Sequence, residues 1–258
     1  RQYDRLIATY AKMGVKSMII LNQETVWGKA PWAGSNDWDG YAAEFAEMAG
    51  QIAAHYRSYK DRVAFEIWNE GDLDHNAASV YVPPAQFAKI LSSSAKAIKR
   101  AAPKAIRIFG GLATGPQTAV KYLNDTRAAL GNELPVEAIG IHPYGRWATK
   151  APFDWGQRFG TLGQAINEYK AGTNGIPLWI TEVGVADDNE IGPQYYQGIS
   201  EYIRDMFKTT DARYKADVPV LVWFAWSDFM RNAGVVTKDG RRKSAVYAAF
   251  QDVRDGTL

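Results

Sequence analysis

Apolar positions in this chain recur in two rhythms that trade places along its length. Tyr3 to Met13 repeats every three to four residues, as an amphipathic helix does, and stops at Gly14. VKSMIILN, Val15 to Asn22, is then a short apolar run suited to a strand covered on both faces. The next 18 residues are loop-like. Helical periodicity returns over Tyr41 to Tyr59, ahead of a strand from Val63 to Trp68. Pro84 to Ala101 is helical, with proline in its first turn and Pro103 past its end, and the strand Ala105 to Gly111 follows. The same alternation predicts helix Thr118 to Leu130, strand Val136 to Gly145, helix Leu162 to Ala171 and strand Ile176 to Val185. Helix Gln194 to Phe207, strand Val218 to Asp228 and helix Ser244 to Val253 complete the series.

Short apolar strands alternating with longer amphipathic helices are the signature of a parallel sheet built from βα units. The expected fold class is therefore α/β, a (β/α)8 TIM barrel, with about six βα units visible where eight would close it. Because the chain opens on a helix with no strand before it, the expectation is one domain over residues 1–258 lacking the first two strands. An unclosed barrel would leave apolar strand edges exposed, so a second segment or chain completing it is expected.

Bulk properties narrow the partners. At 258 residues and 47% hydrophobic content the chain can bury one large core. Thirty basic against 28 acidic side chains leave a formal charge of +2, which gives no global field for nucleic acid or an anionic membrane. No apolar run approaches the roughly 20 residues of a membrane span, and the opening RQYDRLIATYAKMG is not patterned as a signal peptide. The absence of cysteine excludes disulfides and thiolate chemistry. The compartment stays open on these grounds, with a secreted or periplasmic bacterial protein favoured. Nine tryptophans and fourteen tyrosines offer flat apolar faces with polar edges, suited to stacking on sugar rings or bases, which tilts the reading toward carbohydrate.

In parallel βα architectures reactive groups collect at the carboxyl ends of strands. Asn22, Asn69 with Glu70, His142 with Tyr144, Glu182, and Trp226 with Asp228 all fall at the ends of separate predicted strands. Two carboxyl groups facing one bond are what glycosidic cleavage requires: one gives a proton to the leaving oxygen, the other attacks the anomeric carbon or activates water. A separation of about 5–5.5 Å makes the second group a nucleophile, and about 6.5–9.5 Å makes it a base acting through water.

FEIWNEGD, Phe65 to Asp72, resembles the Trp-Asn-Glu segment that ends the fourth strand in clan A of the glycoside hydrolases, and WITEVG, Trp179 to Gly184, resembles the segment ending the seventh. HPY (His142 to Tyr144) and WFAWSD (Trp223 to Asp228) match the sixth and eighth strands, in the right order over most of the chain. Within the clan the pattern resembles families 5 and 39. The resemblance implies a retaining glycoside hydrolase acting on β-linked poly- or oligosaccharide without cofactor or metal, with Glu70 as acid/base and Glu182 as nucleophile. Asn69 would hold the sugar 2-hydroxyl, His142 and Tyr144 would shape the catalytic subsite with Tyr144 hydrogen-bonding Glu182, and Trp226, ahead of Trp223, would be the sugar platform. The second-strand arginine usual in the clan would fall before Arg1.

Plainer readings stand beside these. A single strand-end glutamate is usually a solvated loop carboxylate, and a single histidine a structural one. Asn22 and Trp27 are candidate substrate contacts, but Trp27, Trp32 and Trp38 equally suit a self-packed loop cluster. DLDHN, Asp72 to Asn76, imitates half a calcium loop, yet Ala77 replaces the turn glycine and Pro83 the bidentate glutamate. No zinc His-Glu-x-x-His, phosphate loop or serine elbow appears. Arg241, Arg242 and Lys243 look like solvated charge before the last helix. The alternative function is a catalytically impaired barrel that binds carbohydrate.

Overall fold

The computed structural model describes residues 2–26, 30–73, 79–144, 162–185, 192–228 and 234–258. Among them six strands appear: β1 (Ser17–Leu21), β2 (Val63–Asn69), β3 (Ile106–Leu112), β4 (Ala138–Ile141), β5 (Leu178–Val183) and β6 (Val220–Trp223). They are hydrogen-bonded in chain order, β1 to β6. Helix α1 (Gln2–Lys12) precedes β1, and each strand is followed by a helix in turn: α2 (Trp38–Tyr56), α3 (Pro84–Ala101), α4 (Pro116–Ala129), α5 (Leu162–Lys170), α6 (Pro193–Tyr214) and α7 (Ser244–Asp255). This is the βα succession of a (β/α)8 barrel, represented by six units.

The chain divides into two compact units, residues 1–140 with 172–176, and residues 141–171 with 177–258. In the first, β2 runs parallel to both β1 and β3, with Leu21 opposite Ile67 and Ile67 opposite Phe109. Val63 to Trp68 are buried without interruption, as a strand covered on both faces requires. Helix α2 turns an alanine-rich face inward, Ala42, Ala46, Ala49 and Ala53, with Phe45 among them. Asp37 starts this helix by accepting a hydrogen bond from the Gly40 amide at 2.9 Å, three residues earlier than periodicity predicts. Helix α3 buries Phe87, Ile90, Leu91 and Ile98, each such side chain stabilising the unit by about 1.5–3 kcal/mol.

In the second unit, β5 and β6 are parallel, and α6 buries Tyr195, Ile199, Tyr202, Ile203 and Met206. Helix α6 runs seven residues past its predicted end at Phe207, because Thr210 continues the buried stripe of Met206. Strand β6 is shorter than expected. It ends at Trp223, not Asp228, since residues 225–228 leave the sheet to bond instead with 234–236: the Val235 amide donates to the Ala225 carbonyl and the Val236 amide to that of Trp226.

Candidate active site

Glu70 follows directly on the last residue of β2, and the backbone there departs from strand geometry. Trp68 (φ 80°) and Glu70 (φ 51°) are both left-handed although neither is glycine, a conformation that costs about 1–3 kcal/mol per residue and survives only where its surroundings enforce it. Those surroundings are visible. The Trp68 indole is fully buried against Tyr41, Phe45 and Trp32, and its Nε1 donates to the Val80 carbonyl at 3.1 Å. On the neighbouring strand, a Cβ on Gly110 would stand 2.5 Å from the Ile67 carbonyl oxygen, so only glycine lets the bent end of β2 lie that close. The Glu70 amide donates to the Gly111 carbonyl at 3.0 Å, and the Leu73 amide donates to the Glu70 carbonyl at 3.1 Å. The half-buried carboxyl group is thereby carried on a fixed backbone.

Asp72 completes this corner. Its buried carboxylate accepts from the Ala113 and Thr114 amides, each at 3.0 Å, and from the Thr114 hydroxyl. It ties the loop after β2 to the loop after β3, a use unrelated to calcium; residues 74–78 of the calcium-like stretch lie outside the described residues. Asp72→Ala is expected to lower stability by about 3 kcal/mol, since two amides and a hydroxyl lose a charged acceptor in a buried setting. Denaturant unfolding checks this, and a loss below about 1 kcal/mol would show that the loop holds without the carboxylate.

Asn69, half-buried, closes β2 opposite Gly111. Asn22 follows β1, and its Oδ1 accepts from the Glu24 amide at 3.1 Å, capping the short 3-10 turn Gln23–Thr25. Trp32 packs edge-on to Tyr41 and Trp68 and lies 6.2 Å from Trp38, centroid to centroid, which is the self-packed arrangement. Trp27 lies outside the described residues.

In the second unit, Glu182 sits one residue before the end of β5, its side chain 17% exposed. The Tyr144 hydroxyl donates to Glu182 Oε2 at 3.0 Å, and His142 Nδ1 lies 3.9 Å from the same oxygen. His142 is buried, with Nε2 sharing a 3.1 Å hydrogen bond with Thr181 Oγ1. The segment after β4 thus places two side chains beside one carboxylate of β5, and Tyr144 is the one hydrogen-bonded to it. The His142 ring lies between neighbouring residues of β5, its Nε2 bonded to Thr181 and its Nδ1 beside Glu182, and Thr181 is a contact that motif reading missed.

Trp223 and Trp226 part company. Trp223 is 7% exposed and packs on Tyr202 and Phe250, whereas Trp226 is 63% exposed with its edge toward Tyr247, centroids 6.3 Å apart. Lys243 overturns the expectation of solvated charge. Arg241 and Arg242 are exposed, but Lys243 is 3% exposed and its ammonium meets Asp228 Oδ1 at 2.5 Å. A buried ammonium needs such a partner. The sequence signal that was available is Asp228 itself, an acid just past an apolar strand.

Comparison with known proteins follows the same lines. The model of cellulase, glycosyl hydrolase family 5, matches residues 1–228, and the chain belongs to that family. It is a glycoside hydrolase. No curated protein sequence matches it. Among solved structures it is similar to a thermostable mutant of a xylanase from Cellvibrio japonicus (15% identity, TM-score 0.63, covering 98% of this chain and 82% of that one). It is also similar to Cel5A from Thermotoga maritima in complexes with cellobiose (17%, 0.63, 96% and 76%). A third is an endo-β-1,3-glucanase of family GH128 from Sorangium cellulosum (20%, 0.61, 93% and 82%). At these identities the likeness is one of fold.

Proposed function

We propose that this glycoside hydrolase cleaves β-glycosidic bonds in a poly- or oligosaccharide with net retention, Glu182 acting as nucleophile and Glu70 as acid/base. The observation that carries the reading is the hydrogen bond from Tyr144 to Glu182 Oε2. A phenol donating to a carboxylate makes a charge-assisted bond, stronger than one to a neutral acid, and holds the anion in one orientation. That is what an attacking carboxylate needs.

In the first step a Glu182 oxygen forms an ester bond to the anomeric carbon while the bond to the leaving oxygen breaks, and the Glu70 carboxyl proton passes to that oxygen. In the second, water attacks the anomeric carbon, gives its proton to the Glu70 carboxylate and releases Glu182. Asn69 would bind the 2-hydroxyl, a contact that tightens in the transition state. Trp226, exposed by 63%, offers its face to a sugar ring. The names of the similar structures, a xylanase, an endo-β-1,3-glucanase and a cellobiose complex, support a β-linked glycan as substrate. Since a polymer does not cross a membrane, a secreted or periplasmic setting follows from this reading.

The test is the anomer first formed. Proton NMR of a fresh digest of an aryl β-glycoside is expected to show the β-anomer before mutarotation. Initial α-anomer would mean a single displacement and would remove Glu182 as nucleophile.

A further inference from the structure

Beyond the two glutamates, the second unit contains a buried ion pair for which the reaction above has no use. Lys243 and Asp228 meet at 2.5 Å, with the lysine side chain 1% and the aspartate side chain 13% exposed. The same Asp228 Oδ1 accepts the Gly234 amide at 2.9 Å. The Lys243 ammonium also lies 4.8 Å from the centroid of the Tyr196 ring, within reach of a cation–π attraction. The Tyr196 phenol is pushed up, first by burial and then by the charge of Asp228.

Around this pair the backbone forms a small ladder. Val235 donates to Ala225 at 3.1 Å, Val236 to Trp226 at 2.9 Å, Asp228 to Val236 at 3.1 Å and Lys243 to Val235 at 3.2 Å. The approach is so close that a Cβ on Gly234 would stand 2.3 Å from the carbonyl carbon of Ser227. Trp226 therefore sits in a segment bonded on both sides of it, with its indole turned outward. The indole itself has one described ring contact, Tyr247. Its orientation depends on the segment, and the segment depends on an anchor two residues away.

We infer that Lys243 is a positioning residue for substrate binding: by neutralising and holding Asp228, it fixes the segment that presents the Trp226 ring to a sugar. Lys243 reaches no sugar itself, because it is buried beneath the segment. The ammonium is suited to this because a buried carboxylate bonded to one amide still carries a charge that only a cation can balance. The inference rests on Trp226 being the sugar platform.

The test is a kinetic cycle on the full chain, using aryl β-cellobioside, β-xylobioside and β-laminaribioside as probes. Lys243→Met is expected to raise KM about tenfold with kcat within about threefold, a loss worth about 1.4 kcal/mol of binding. Trp226→Ala is expected to raise KM by at least as much. In the Trp226→Ala background, Lys243→Met should raise KM no further, because its effect passes through the ring. Should the single lysine variant not fold, the pair Lys243→Met with Asp228→Asn removes both charges together and is expected to show the same rise in KM. A KM that stays at the wild-type value in both, or a full additive rise on top of Trp226→Ala, would overturn the inference while leaving the glutamate assignment intact. Failure of the parent reading looks different: no turnover of any probe, or a wild-type KM in Trp226→Ala, removes the platform and the inference with it.

Discussion

Glu182→Ala is expected to reduce kcat on an aryl β-glycoside by on the order of 10⁵-fold, comparable with the loss seen when an enzyme is deprived of its attacking atom. Alanine cannot form the ester, and it removes the carboxylate to which the Tyr144 hydroxyl donates. What remains is whatever stabilisation binding alone provides. The fold should be nearly untouched: Glu182 is half-buried at the end of β5, and the loss of its carboxylate leaves the Tyr144 hydroxyl partly exposed, where water replaces the bond at a cost of about 1 kcal/mol or less. Kinetics and thermal unfolding on the same sample check both parts. A rate within about tenfold of wild type would dismiss Glu182 as nucleophile, since an essential covalent step is worth far more.

How much of this was legible beforehand depends on the distance over which each feature is decided. The βα succession was readable because a strand buried on both faces is a mostly apolar run, and Val63 to Trp68 is apolar except for Glu66, which is buried with the rest. The location of both glutamates at strand ends was readable for the same reason, since each interrupts an apolar run. Tyr144 against Glu182 was expected from motif order, 38 residues apart, and is observed. Lys243 was misjudged because its burial is set by Asp228, 15 residues earlier, and by Tyr196 on α6; a three-residue basic run carries no trace of either. The end of β6 was misplaced because FAWSD continues the apolar rhythm, although past Phe224, whose amide still donates to Val183 of β5, the backbone bonds go to residues 234–236. The left-handed backbone at Trp68 and Glu70 was likewise hidden. Its one trace is the glycine pair Gly110 and Gly111 on the adjacent strand, and a register is needed to see what that pair admits.

Glu70→Ala should behave differently from the nucleophile variant, and the difference is what assigns the roles. With a poor leaving group the rate is expected to fall by about 10²–10⁴-fold, the usual worth of a positioned general acid. With a dinitrophenyl leaving group, which departs without a proton, the first step should survive and hydrolysis of the glycosyl-enzyme should become limiting. Sodium azide is then expected to restore turnover in part. It needs no general base, it fits the space vacated by the side chain, and it should yield a β-glycosyl azide. Backbone strain does not confound the comparison. Alanine at φ 51° is strained about as glutamate is, and the bonds from Glu70 to Gly111 and from Leu73 to Glu70 are main-chain and persist. The product is identified by mass spectrometry and NMR. If azide neither accelerates the variant nor appears in the product, or if the α-azide forms, Glu70 is not the acid/base and the proton must come from another group. If Glu182→Ala rather than Glu70→Ala yields the β-azide, the two roles are exchanged.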